Sequence, residues 1–104
     1  MTGFSCQASV DDSQTVVAVS GDVDLAVVDV FWETLDTHLD TGRVVVLDCS
    51  RVEFLDSMGL RILVKASQKA NEVGATFRLG ECSPAVQRVL DLAGFAEAFS
   101  TDSQ

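Results

Sequence analysis

The chain is poor in basic residues, histidine, proline and cysteine, and each shortage removes a class of function. Lys and Arg number 7 against 16 Asp and Glu, a formal net charge of −9. Nucleic acid and anionic membranes both require a clustered cationic face, so neither is an expected partner. A protein partner carrying a basic patch suits an acidic chain better. The 3 cysteines, Cys6, Cys49 and Cys82, show no CxxC spacing. That excludes a disulfide framework and a zinc site, and no metal or other cofactor is expected. No segment approaches the ~20 apolar residues of a membrane span. Met1 to Asp12 lacks both positive charge and an apolar run, so no secretory signal is read there and a reducing cytoplasm is the expected location. His38 is the only histidine, and neither a Gly-rich phosphate loop nor a GxSxG elbow is present. The usual enzymatic constellation is missing, and the chain is not expected to be an enzyme.

What is present is a normal globular composition, 47% hydrophobic over 104 residues. That suffices for one domain, 1–104, with about 1–3 and 101–104 as flexible tails. Phe4, Cys6, Ala8 and Val10 alternate with polar residues, as in a half-buried strand. After the turn Asp11-Asp12-Ser13, Thr15 to Val19 forms the second arm of a hairpin, broken by Gly21-Asp22. From Leu25 to Leu39 the period becomes helical, with Val28, Phe31, Trp32, Leu35 and Leu39 on one face and Gly42 as a C-cap. Val44 to Leu47 reads as a central strand covered on both faces, and Asp48 to Phe54 as a loop. Leu60, Leu63, Ala66, Ala70 and Val73 mark a second helix, and Ala75 to Leu79 a further strand. Ser83-Pro84 opens a third helix over Val86, Val89, Leu90 and Ala93, after which Phe95 and Phe99 pack the tail onto the core. The fold class is α/β, in the order β-β-α-β-α-β-α. An N-terminal antiparallel hairpin followed by parallel strands gives a mixed sheet of about four strands with three helices.

The most informative segment is Val52 to Leu60, which joins a buried strand to a helix. Asp56 or Ser57 caps that helix. Gly59 sits in its first turn, where glycine costs up to ~1 kcal/mol relative to alanine, which suggests that something approaches the backbone closely. One reading is a plain cap. The other is a phosphoacceptor at Ser57, at the positive end of a helix with unpaired N–H groups. Arg61 lies one turn on, and Asp56 and Asp24 stand nearby to repel the added charge.

Four segments carry a resemblance to a known family. These are Gly21-Asp22-Val23-Asp24-Leu25, Val44 to Asp48, Phe54-Leu55-Asp56-Ser57-Met58-Gly59-Leu60, and Ser83-Pro84-Ala85-Val86 with Leu90 and Gly94-Phe95. In order and spacing they resemble the STAS domain, and more narrowly the bacterial anti-sigma factor antagonists, from about Val16 to Phe99. The resemblance implies partner switching. The unphosphorylated antagonist binds an anti-sigma factor that is also a Ser/Thr kinase, which frees a sigma factor. The kinase then phosphorylates the antagonist's serine, and a phosphatase restores it. The acceptor matches Ser57, and the acidic residue of the GxxD segment matches Asp24. Asp24, Asp56, Met58, Gly59 and Arg61 form the implied partner-binding set. Two positions depart from the pattern. Val27-Val28 replaces a small polar residue at the start of the first helix, and Met58 stands where a small residue is frequent.

Three other features compete. His38, late in the first helix beside Asp36 and Asp40, reads as a partly exposed helix residue. Of Phe31 and Trp32, one faces the core, and the other is either core as well or an exposed anchor. Cys49 and Cys82 follow strands that are expected to be neighbours. They are either gap-filling residues or a redox pair, since a disulfide needs Cα atoms about 4.4–6.8 Å apart. The alternative function is a docking subunit of a transport or multi-protein complex without phosphorylation, with redox control through Cys49 and Cys82. A monomer is the simplest expectation.

Overall fold

A computed structural model of the chain describes residues 3–95. The expectations for Phe99 and for the tails at 1–2 and 101–104 lie outside them. β1 (Ser5–Val10) and β2 (Gln14–Val23) form the antiparallel hairpin. Asp11 makes its turn. Its carboxylate accepts the backbone N–H groups of Ser13 and Gln14, each at 2.8 Å, and these two donors hold its carboxyl below the usual range. α1 (Val28–Leu39), β3 (Val44–Leu55), α2 (Ser57–Val73), β4 (Thr76–Cys82) and α3 (Pro84–Ala93) follow. The sheet order is β1-β2-β3-β4, with β2, β3 and β4 parallel. This is the expected mixed sheet with three helices.

Among the described residues the core lies on one face only. Val17, Val19, Val45, Leu47, Cys49 and Leu79 point from the sheet into a single cluster with Phe31, Leu35 and Leu39 of α1, Leu63 and Ala66 of α2, and Val86 and Leu90 of α3. Burying Phe31, Leu35 and Leu39 contributes about 1.5–3 kcal/mol each. The opposite face stays open, with Val16 and Asp48 half-buried and Ala18 exposed. The expectation that β3 is covered on both faces is therefore corrected. Val46 is buried on the open side by its strand neighbours Val16 and Arg78 rather than by a second layer.

Both central strands run further than their sequence suggests. β2 continues through Gly21-Asp22 to Val23, and Asp48 to Phe54 belongs to β3 rather than to a loop. The two extensions pair with each other, Gly21 with Val52 and Val23 with Leu55, across register shifts on either side of Gly21. Gly21 has φ +86, and a Cβ there would fall 1.6 Å from the Gly3 carbonyl oxygen. This glycine bends the strand without ending it. β4 likewise reaches Cys82 instead of stopping at Leu79.

In the first helix, Leu25 and Ala26 lie before the helical turns and are exposed. In the second, the inward stripe is Gly59, Ile62, Leu63, Ala66 and Ala70, whereas Val73 is exposed. Of the alternating residues at the N-terminus, Phe4, just before β1, and Cys6 reach the core, while Ala8 and Val10 overhang it. Phe31 is buried and Trp32 is half-buried, with the Lys65 ammonium 4.4 Å from the centre of its ring. Trp32 thus serves the α1–α2 seam and is not a free anchor. Lys69 completes that seam by bridging Asp36 at 2.8 Å and Asp40 at 2.9 Å. Among the described residues, no helix is long and apolar enough to cross a membrane.

Candidate functional site

Parallel pairing brings the ends of β2 and β3 together, and the candidate site is built where they stop. The Asp56 N–H donates to the Val23 carbonyl at 3.2 Å, so Asp24 and Asp56 leave the sheet side by side. Asp24 folds its carboxylate onto the Ala26 N–H at 3.0 Å, a local Asx turn that redirects the chain into α1. Asp56 is extended, with φ −94 and ψ −176, and caps α2 by accepting from Met58 N–H at 2.9 Å and Gly59 N–H at 3.0 Å.

This settles which residue caps the helix. Asp56 does, and Ser57 is left exposed at the first helical position, its hydroxyl making no hydrogen bond among the described residues. The cap also corrects the expectation of free N–H groups awaiting a phosphate. The donors at Met58 and Gly59 already hold a carboxylate. A phosphate on Ser57 would lie beside that carboxylate, with Arg61 one turn on as its nearest cation along the helix. Arg61 is exposed and forms no ion pair among the described residues.

Gly59 also changes role. A Cβ built on it would lie 2.5 Å from Leu55 Cδ1, 2.9 Å from Val23 Cγ1 and 3.2 Å from the Val23 carbonyl oxygen. The close approach inferred for this glycine comes from the chain's own core. Gly59 is buried and seats α2 on the sheet.

Met58 is half-buried and opens a groove between α1 and α2, lined also by Val28, Asp29, Arg61 and Phe95. A second groove runs from Phe54 along Pro84, Ala85 and Val89. Along the chain Ser57 lies between Phe54, which lines the second groove, and Met58, which opens the first. Two exposed apolar residues that sequence reasoning passed over lie close along the chain to the ends of β2 and β3. Leu25 is 66% exposed and Phe54 50%. The strand alternation around Phe54 was the available signal, and it was hidden by reading 48–54 as a loop.

The remaining candidates lie elsewhere. His38 sits at the end of α1, near the start of β3, while Ser57 follows the end of β3; the two share no site. Cys49 and Cys82 are direct partners in the β3–β4 register, further down the sheet. Among the described residues no three His, Cys, Asp or Glu side chains converge as a metal site.

Comparison with known proteins agrees with this layout. BtrV of Bordetella bronchiseptica, provisionally named an anti-sigma factor antagonist, is 29% identical over 89 residues, covering 85% of this chain and 77% of that protein. The crystal structure of an anti-sigma factor antagonist from Mycobacterium paratuberculosis superposes with a TM-score of 0.86 at 26% identity, over 98% of this chain and 87% of that one. SpoIIAA, an anti-sigma factor antagonist solved in its unphosphorylated form, shares the fold at 19% identity and a TM-score of 0.76, over 98% and 90% of the two chains. The phosphorylated form of SpoIIAA from Bacillus gives a TM-score of 0.71 at 18% identity over 98% and 93%. The family model described as MlaB, STAS domain, matches residues 6–100. The chain belongs to the STAS domain family.

Proposed function

We propose that this chain is an anti-sigma factor antagonist, switched by phosphorylation of Ser57. One observation carries the proposal. A serine hydroxyl with no bond among the described residues stands at the first position of a helix whose cap is already supplied by Asp56. Asp24 leaves the sheet beside Asp56, Met58 and Arg61 follow Ser57 in α2, and the exposed apolar residues Leu25 and Phe54 lie within two positions of the same strand ends. In the unphosphorylated form this corner offers apolar contact and negative charge to a partner of basic character, an anti-sigma factor with Ser/Thr kinase activity. Its capture frees the sigma factor. Phosphorylation adds about −1.5 to −2 charges beside Asp56. Because the helix N–H groups at Met58 and Gly59 are occupied, little of that charge is absorbed by the fold, and it acts on the interface instead. A phosphatase resets the switch. The whole chain acts as one cytoplasmic, monomeric binding domain, and the chemistry belongs to the partner enzymes. The names of BtrV, the mycobacterial antagonist and SpoIIAA, and the existence of SpoIIAA in two phosphorylation states, support the reading.

The test is intact mass of the protein from its native host, with and without phosphatase, followed by mapping. One phosphate on Ser57 is expected. Binding of purified variants to the cognate kinase should follow, with Ser57→Ala at wild-type affinity and Ser57→Asp weaker by at least about tenfold, or ~1.4 kcal/mol. Equal affinity of the two variants would sink the switch and leave a constitutive docking subunit.

A further inference from the structure

The β3–β4 pair contains an irregularity that the Ser57 corner does not use. Leu47 pairs with Leu79, but two residues later Cys49 pairs with Cys82, so β4 carries one extra residue between these pairs. In an unbroken strand Cys82 would share the open face with Gly80, since alternate side chains point the same way. The bulge turns Glu81 outward and Cys82 inward, so that Cys82 packs against the core cluster to which Cys49 belongs. Directly paired strands lie about 4.7–4.9 Å apart, within the Cα separation that a disulfide accepts, about 4.4–6.8 Å. The next residue is already fastened in place, because the Ser83 N–H donates to the Cys49 carbonyl at 3.1 Å.

We propose that Cys49 and Cys82 are a reversible peroxide-oxidised pair, in which Cys82 attacks the oxidant and Cys49 resolves it as a cross-strand disulfide. The two residues differ in the way this division of labour requires. Cys49 is 2% exposed, whereas Cys82 is half-buried and can meet a small oxidant. Each thiol shifts the other's ionisation. Donation from Cys49 pulls the Cys82 thiol below its ordinary value, against burial and the nearby Asp48 charge. The same bond, with burial, pushes Cys49 up, and Asp48 and Cys6 add to that. As a neutral thiol Cys82 points its S–H at the Gly80 carbonyl, 3.7 Å away. Once ionised it becomes the acceptor for Cys49.

The chemistry closes on hydrogen peroxide. The Cys82 thiolate attacks one peroxide oxygen, the O–O bond breaks, and the departing hydroxide takes up the Cys82 proton as water. The Cys49 sulfur then attacks the sulfenic sulfur of Cys82, and the expelled hydroxide takes the Cys49 proton as a second water. Two thiols are oxidised to one disulfide and one peroxide is reduced to two waters. The new bond would lock the end of β4, and with it the start of α3, to β3. Nothing in this proposal depends on Ser57.

The experiment exposes the reduced, folded full-length protein to a small molar excess of hydrogen peroxide, then alkylates and maps it under non-reducing conditions. Free thiols should fall from three to one, Cys6, with an intramolecular Cys49–Cys82 peptide that dithiothreitol removes. In Cys49→Ala a sulfenic acid should be trapped by dimedone on Cys82, and in Cys82→Ala Cys49 should stay a thiol. Three titratable thiols after treatment, pairing through Cys6, bonds between molecules, or a pair that forms only in urea would each overturn the proposal. Dimedone labelling of Cys49 in Cys82→Ala as fast as that of Cys82 in Cys49→Ala would overturn the assigned order of attack.

Discussion

Helices α2 and α3 both start just past the end of a core strand, each one residue after a capping side chain, yet only α2 leaves a serine hydroxyl unspent. In α3 the cap is Ser83, which is 8% exposed and accepts the Val86 N–H at 3.3 Å. Pro84 follows it and brings no N–H to satisfy. In α2 the cap is Asp56, and the serine has moved one position on, out to the surface. At the third helical position both helices turn inward, with Gly59 in α2 and the fully buried Val86 in α3. One local plan therefore serves two ends. A serine in the cap position is structural because its oxygen is occupied. A serine beside a carboxylate cap is free for chemistry.

The comparison breaks most visibly at the third position. Gly59→Val should destabilise the fold by about 3 kcal/mol, because the new methyl groups meet Leu55 and Val23 well inside contact distance. Urea unfolding followed by circular dichroism would measure it. The opposite change at the matching site, Val86→Ala, should cost about 2 kcal/mol by leaving a cavity. If Gly59→Val folds as well as wild type, then α2 is not seated on the sheet by that glycine.

The caps come next in size. Asp56→Ala should cost about 1–2 kcal/mol, since it frees two N–H donors, whereas Ser83→Ala frees one and should cost about 1 kcal/mol. Asp56→Asn keeps the acceptor and should recover most of the loss. Failure of that rescue would mean that charge, and not the hydrogen bonds, secures the helix start.

Several of these features were legible in the chain. Helical spacing of apolar residues, the Ser83-Pro84 start and the β-branched Val44–Val46 run placed the helices and the central strand, because each signal is local. The extensions of β2 and β3 were not legible. Gly21 and the polar residues Asp48, Ser50 and Arg51 carry turn-like or surface composition, yet pairing between two distant segments holds them in strands. The same non-local pairing hid the exposure of Phe54 and the packing of Gly59, whose neighbours Val23 and Leu55 come from two different strands. Ser57 itself was legible because a helix start is written in a few adjacent residues. Which of Asp56 and Ser57 held the cap was not, since both side chains cap well and only the geometry of the strand end decides.

The smallest stability effect is the most telling for function. Ser57→Ala should change unfolding free energy by less than about 0.5 kcal/mol, because the hydroxyl is exposed and holds no N–H. Ser83→Ala, the same chemical change one helix later, should cost roughly twice that or more. Urea midpoints of the two variants measured together test whether the hydroxyls have separate jobs. A structural serine loses stability when truncated and leaves nothing for a kinase to lose. A modifiable serine does the reverse: if Ser57 is the acceptor, Ser57→Ala should unfold like wild type and yet accept no phosphate from a partner kinase. If Ser57→Ala proved as costly as Ser83→Ala, its oxygen would be part of the α2 cap after all, and phosphorylation would act by fraying the helix rather than by charging a surface the fold leaves intact.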